Sequence, residues 1–549
     1  MSTGTVESQA SNLTTVQRST AATTPSVNEV ATVATASSIV SPVVQLAKVT
    51  PVPSAAPLAA LAPAQTPLRI VSGLVSSVVG LVLSPFATNT PVVPAPPPVL
   101  WGLLAWARRE FERTFAKSGN TPTVGTSPVA TALAAAAVDP APTPVVVSPS
   151  TSIIGWVTGE NSINNTLTRF GISGADLGIM WDNGMVDNPN DPVDEHQILM
   201  AFGDTFGDPS APNQDWRMNT LLRTSDNTPD DGLSIPDPVL ANPNDPYYIF
   251  GGSPLAYQNF SKQIIASPGL AANQVTIIPT AGISVPTPGT PLGVTQYINF
   301  MSVEQWGQPG EWTTNYSAIA YSTDNGETWT VDPSTVRQNG LFAMGNQNFQ
   351  QQAYLEPGDG YAYAYGTPNG RTGQAYLSRV PQNEILDLTQ YQYWNGSTWV
   401  QNDPMAAVPV IPPGASSGLI GALANIFGGA VYDSPLIPVL NSLFGGPGTV
   451  SEMSVQYNDY LQKYVVLYAD QNNNVVMRTA DAPQGPWSAP QILVTPTQVP
   501  GGLYAPMIYP WSGTSNLSAA DQQYLYWNLS INSDYNVELM RTDLSTLAA

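Results

Sequence analysis

The chain has 549 residues, with 39 Asp and Glu against 17 Lys and Arg, a formal net charge of −22, one histidine and no cysteine. That balance leaves no basic face for phosphates and excludes nucleic acid as a partner, whereas a neutral polysaccharide, held by hydrogen bonds and aromatic faces, fits it. Lack of cysteine excludes disulfides, thiolate metal sites and cysteine nucleophiles, and a single histidine excludes a polyhistidine zinc site, so acid–base chemistry falls mainly to Asp and Glu.

Residues 1–67 are Ser, Thr, Ala, Val and Pro with few aromatics. Such a segment buries too little surface to offset its chain entropy and reads as a disordered leader. It has neither the basic start nor the compact apolar run of a secretory signal, so an exported chain would use another route or begin after a removed signal. Residues 68–120 read as helical. The run Leu68 to Ala87 is long enough to span a bilayer, but its serines, glycines and Arg69 favour a short helix packed on its own domain. Val99 to Lys117 sets Trp101, Leu104, Trp106 and Phe111 against Arg108, Arg109 and Arg113 at near-helical spacing. Packing on the N-terminal segment is the first reading of this amphipathic stretch. Peripheral association with a membrane or cell wall is the second. Residues 121–150 form an Ala/Pro linker.

From residue 151 to 549 short apolar runs alternate with Asn-Gly and Asp-Asn-Gly breaks, which predicts an all-β domain of many short strands. LLRTSD (221–226), VMRTAD (476–481) and LMRTD (539–543) repeat one local pattern, with AIAYSTDNGETW (318–329) and AYLSRV (375–380) as variants. Five strand–turn–strand units of this kind predict a five-bladed β-propeller. STDNGETW resembles the Asp box of sialidase-type propellers, a turn device in which Asp324 bonds the backbone, Gly326 takes positive φ and Trp329 packs between strands. An insertion at 402–449 carries two apolar segments ending in Phe-Gly-Gly, read as short helices packed on the propeller side or walling a cleft.

In a propeller, acids at strand ends on one face can converge on a central cavity from different blades. ADLGIMWDNG offers Asp176, ILMAFGDTFGD offers Asp204 and VSEMSVQY offers Glu452, each beside small or apolar residues. Turn capping is the competing role for each. Asp182, Asp187, Asp191, Asp194 and Glu195 cluster in one loop, but their proline-broken spacing is no EF-hand. The loop reads as solvated acid rather than a calcium site, so no metal or cofactor is expected, and His196 reads as a surface residue.

These segments, in order with WRMNTLLRTSD, YGTPNGRTGQAYLSRVP, GGLYAPMIYP and SINSDYNVELMRTDL, resemble the domain-of-unknown-function family 4185, described as glycoside hydrolase family 183 of endo-D-arabinanases. The resemblance runs from about Ile153 to Leu547. It implies cleavage of α-D-arabinofuranosyl linkages in the arabinan of arabinogalactan and lipoarabinomannan, by a protein that is secreted or attached to the cell envelope. The low-complexity N-terminal part is similar to leaders of secreted actinobacterial wall proteins. The family's essential acids map onto Asp176 and Asp204. Glycoside hydrolysis needs a protonated carboxyl and a carboxylate flanking the bond. Asp204, framed by Phe202 and Phe206, has the more apolar setting and is assigned the acid, with Asp176 as base or nucleophile and inversion favoured by analogy. Asn219, Arg371, Glu452 and Tyr504 are candidates for holding sugar hydroxyls, and Trp181, Trp306 and Tyr365 for stacking on furanose faces. The alternatives are a wall-associated propeller that binds glycan or protein without catalysis, and a sialidase, for which the domain lacks a clear arginine cluster.

Overall fold

The computed structural model describes residues 142–547 except 243, 341, 372 and 412–448. The readings of residues 1–141, and of paired helices inside the 402–449 insertion, lie outside the described residues. Among the described residues no helix is long and apolar enough to cross a membrane.

Five antiparallel sheets make the blades of a β-propeller. Blade 1 comprises Ile179–Asp182, Ile198–Phe202 and Thr220–Thr224. Blade 2 comprises Thr276–Pro286, Val294–Trp306, Trp312–Ser322 and Thr330–Gln338. Blade 3 runs Gln351–Leu355, Tyr361–Thr367 and Tyr376–Pro381, with Gln392–Trp394 and Trp399–Gln401 outside them. Blade 4 is Met453–Asn458, Lys463–Ala469, Val475–Ala480 and Gln491–Val494. Blade 5 is Leu503–Ile508, Tyr524–Ile531 and Asn536–Asp543, extended by Thr151–Trp156 and Val145–Val146. The first strand of each blade is innermost, and these strands neighbour one another around a closed ring. Every copy of the Arg-Thr-type repeat falls on the third strand of its blade, which is why the sequence showed five.

Ring closure joins the two ends of the domain. Thr151–Trp156 pairs with Asn536–Asp543, and the hydroxyls of Thr151 and Thr542 lie 2.9 Å apart. Val145–Val146 adds an outermost strand from residues read as linker.

The continuous apolar run of Ile198–Phe202 is explained by its place between two blades. Leu199 and Ala201 pack with Ile277 and Ile298 of blade 2, while Ile198, Met200 and Phe202 pack with Tyr526 and Leu539 of blade 5. Both faces are covered, so neither carries polar side chains, and each buried large side chain contributes about 1.5–3 kcal/mol. The Asp box acts as a turn. Asp324 accepts from Thr328 N at 2.8 Å, Gly326 has φ 79°, and Trp329 Nε1 donates to Gly326 O at 2.9 Å. Arg223 of the first repeat is fully buried and bonds Glu327 beside that turn at 3.0 Å, tying blade 1 to blade 2.

The acidic loop after blade 1's first strand is internally bonded. Asp182 accepts from Gly184 N, from Trp511 Nε1 at 2.6 Å and pairs with His196 Nε2 at 2.8 Å. His196 is therefore partly buried, paired with Asp182 and meeting the Trp511 ring at 4.8 Å in a tilted contact, rather than the surface residue expected. Among the described residues no group of three or more His, Asp or Glu side chains is placed to hold a metal ion.

Candidate active site

All five innermost strands begin at the same face, and a cavity of about 660 Å³ lies there. Asp176 immediately precedes the first strand of blade 1, and Asp204 follows its second. Because these strands are antiparallel, with Ile179 opposite Ala201, both acids reach the same end of one blade. The expectation that the two aspartates come from different blades is thus corrected. Glu452 precedes the first strand of blade 4 and Tyr504 lies on that of blade 5. Arg371 sits in the turn between the second and third strands of blade 3, and Trp306 ends the second strand of blade 2. These six side chains all line the cavity.

The turn that presents Asp176 is strained. Leu177 has φ 67° and Gly178 φ 61°. A left-handed non-glycine residue is uncommon and costs of order 1–3 kcal/mol unless its surroundings fix it. Blade 5 supplies the fixing: Leu177 N donates to Ser530 Oγ at 2.9 Å, and Asn528 Nδ2 donates to Gly178 O at 3.3 Å. Gly203, directly before Asp204, is the first glycine of ILMAFGDTFGD. A Cβ there would stand 2.7 Å from Asp176 Oδ1. Only a residue without a side chain lets the second strand pass so close to the first acid.

The two carboxyl groups differ in their partners. Asp204 Oδ1 accepts from Trp216 Nε1 at 2.9 Å and from Thr276 Oγ1 at 2.6 Å. Asp176 Oδ2 accepts from the Tyr504 hydroxyl at 2.9 Å, while its Oδ1 is sealed from solvent with no hydrogen-bond partner. Burial, then the charge of Asp204, pushes Asp176 up to about 7, against the Tyr504 bond. Burial pushes Asp204 up to about 6, with Thr276 and Trp216 opposing it. Asp176 is the more strongly raised of the two, which points opposite to the assignment drawn from the phenylalanines around Asp204. Phe202 is indeed fully buried and Phe206 lines the cavity, but the two donors to Asp204 offset part of that burial and leave it less raised than Asp176.

Behind Tyr504 lies an ion pair. Arg371 Nε is 2.9 Å and Nη2 2.8 Å from the two oxygens of Glu452, a bidentate contact. The guanidinium lies 4.6 Å from the Tyr504 ring centroid and 5.7 Å from that of Trp312. Three other candidates are placed elsewhere. Asn219 is fully buried and ties Ile265 O to Ile277 O, a clamp between loop and blade. Trp181 is buried against Gly282 and donates to Gln296. Tyr365 is fully buried and donates to Pro483 O, its ring meeting Trp487. All three are packing residues and take no part in the cavity. Trp216, Thr276 and Trp312 went unnamed in the sequence reading. For Trp216 the one signal was the polar Asn213–Asp215 run before it, whose three residues are all left-handed and swing the indole onto Asp204.

Fold and site together define a closed five-bladed propeller with a carboxyl pair at the mouth of its axis. The chain belongs to the family described as a domain of unknown function, DUF4185, whose model matches residues 161–422 and 437–541. Among curated proteins it is similar to notoamide biosynthesis cluster protein J of Aspergillus sp. (strain MF297-2), 26% identical over 380 residues, covering 67% of this chain and 84% of that protein. Similar solved structures include a putative hydrolase from Bacteroides ovatus, at 14% identity and TM-score 0.39 over 70% of this chain and 89% of that one. A Bacillus subtilis arabinanase matches at 10% identity and TM-score 0.33, over 65% of this chain and 92% of that one.

Proposed function

We propose that this protein is a glycoside hydrolase that cleaves α-D-arabinofuranosyl linkages within cell-wall arabinan, with Asp176 as general acid and Asp204 as general base. The observation that carries this reading is the pair of unequal carboxyl groups on one cavity. Asp176 is pushed up to about 7 and Asp204 only to about 6, so a window exists in which one is protonated and the other charged. Asp176 gives its proton to the glycosidic oxygen as the C–O bond breaks. Asp204 takes a proton from a water whose oxygen bonds to the anomeric carbon, which inverts that centre. Proton exchange with solvent resets both acids.

The cavity lining supports a neutral sugar. Asp176, Asp204, Glu311, Glu452 and Asp470 face it, and Arg371, the one cation lining it among the described residues, is already paired with Glu452. Uronates, sialic acids and phosphorylated sugars would meet uncompensated negative charge. Trp306, Trp312, Phe206 and Tyr535 add aromatic side chains to the lining. The choice of arabinan, and with it a location outside the cell or on its envelope, rests on the motif resemblance around Asp176, Asp204 and Arg371.

The test is product release from purified D-arabinan by wild type, Asp176→Asn and Asp204→Asn, with folding checked by circular dichroism. Oligoarabinosides from wild type alone are expected, and NMR of the first products gives the anomeric configuration. Equal activity of all three folded proteins would remove the acid pair from the mechanism. A wild type that binds arabinan without cutting it would leave a binding propeller.

A further inference from the structure

We propose that Tyr504, backed by the Arg371–Glu452 pair, is a positioning residue that takes up the negative charge left on Asp176 when its proton departs. This deepens the hydrolase reading and rests on it for Asp176's role, though the relay itself is readable without turnover.

The argument begins with the two oxygens of Asp176. Oδ1 is sealed beside Gly203 and Ile278 and has no partner, so it cannot exchange a proton with a ligand. Oδ2 is the oxygen left to work, and its protein partner is the Tyr504 hydroxyl at 2.9 Å. Burial and the neighbouring carboxyl push Tyr504 upward, so it keeps its proton and remains a donor. When Asp176 is neutral the contact holds its rotamer. When the proton has moved to the leaving oxygen, the same contact becomes a hydrogen bond to a carboxylate, roughly twice as strong as one between neutral groups. The relay is thus worth more after proton transfer than before it, which is the condition for accelerating that step.

The remaining parts hold the phenol in place. Ala505, the next residue, has φ 50°, and the pairing of blade 5's first two strands shifts register between Tyr504 and Met507. That irregularity turns the side chain of Tyr504 toward blade 1. Arg371 covers the ring at 4.6 Å, and a cation over the ring makes the hydroxyl a better donor. Arg371 is fixed in turn from three directions. Glu452 binds its guanidinium, Gly310 O accepts from its backbone N–H at 2.8 Å, and Gln351 Nε2 clamps Gly370 O at 2.9 Å. Such a network exceeds what packing alone would require of a tyrosine.

The experiment compares wild type, Tyr504→Phe and Glu452→Gln, using the pH profile of arabinan cleavage and a ¹³C carboxyl titration by NMR of Asp-labelled protein. The Asp176 signal is assigned by its loss in Asp176→Asn. Tyr504→Phe removes a bond to the charged form, so Asp176 should titrate about one to two pH units higher, carrying the alkaline limb with it. Glu452→Gln removes a negative neighbour, so the same limb should move the other way, by about one unit. Opposite shifts support the relay. Unshifted titration of Asp176 in a folded Tyr504→Phe protein overturns it, and so do two shifts of the same sign. If wild type cuts no glycan while the NMR titrations still move in opposite directions, the relay stands and the hydrolase reading falls.

Discussion

Asp176 is held at a cost, and removing its charge should make the protein more stable. A carboxyl that titrates near 3.8 in the unfolded chain and about 7 when folded binds its proton more tightly in the native state. Between those values the native state carries more protons than the unfolded one, so stability falls as pH rises. At about 1.36 kcal/mol per unit, the full difference of roughly three units corresponds to about 4 kcal/mol above pH 7. Asparagine has no charge to bury and can still accept from Tyr504. Its amide would sit where Oδ1 has no partner, which takes back about 1–3 kcal/mol. Asp176→Asn should therefore be about 1–3 kcal/mol more stable than wild type at pH 8, a rise of a few degrees in Tm for a domain of this size. The gap should shrink as pH falls from 7 to 4 and then close or reverse. Thermal unfolding of both proteins from pH 4 to 9, followed by circular dichroism, reads this directly. A variant less stable than wild type at pH 8, or a gap that does not change with pH, would refute the claim that Asp176 is buried against its own charge.

Three further outcomes are expected. Thr276→Val and Trp216→Phe each remove a donor to Asp204, so the acidic limb of the activity profile should rise by about one to two pH units, since the base must be charged to act. Gly203→Ala would place a methyl 2.7 Å from Asp176 Oδ1; activity should fall at least a hundredfold, as read from kcat/KM, while far-ultraviolet circular dichroism stays native. Arg223→Met strands Glu327 at 3% exposure with Lys262 as its remaining cation, and denaturant titration should show a loss of about 3–5 kcal/mol.

Much of the fold was legible because the repeats mark third strands, where each arginine or serine binds its own blade or the next one. The acids were legible because glycine and small residues must surround a carboxyl that another strand passes at contact distance, as Gly203 does Asp176. The aromatic candidates were not separable by sequence. Trp181 and Trp306 both lie at or next to the last residue of an apolar strand, yet one is aimed at Gly282 in the next blade and the other at the cavity. That difference depends on which end of the strand faces the site, and the strand itself does not record it. Thr276 left no trace either, because any β-former suits the start of an innermost strand and only the distance to Asp204 distinguishes it.

Closure of the ring by Thr151–Trp156 against Asn536–Asp543 makes the two ends of the domain one mechanical element. The last blade cannot be completed until its final strand has been synthesised, so through most of translation blade 1 has no neighbour on one side. The Leu177–Gly178 turn that presents Asp176 draws its fixing bonds from Ser530 and Asn528 of that last blade. Trimming either end of the domain is therefore the same lesion. It unzips one sheet, releases the strained turn beside it, and so reaches Asp176 from the far side of the ring.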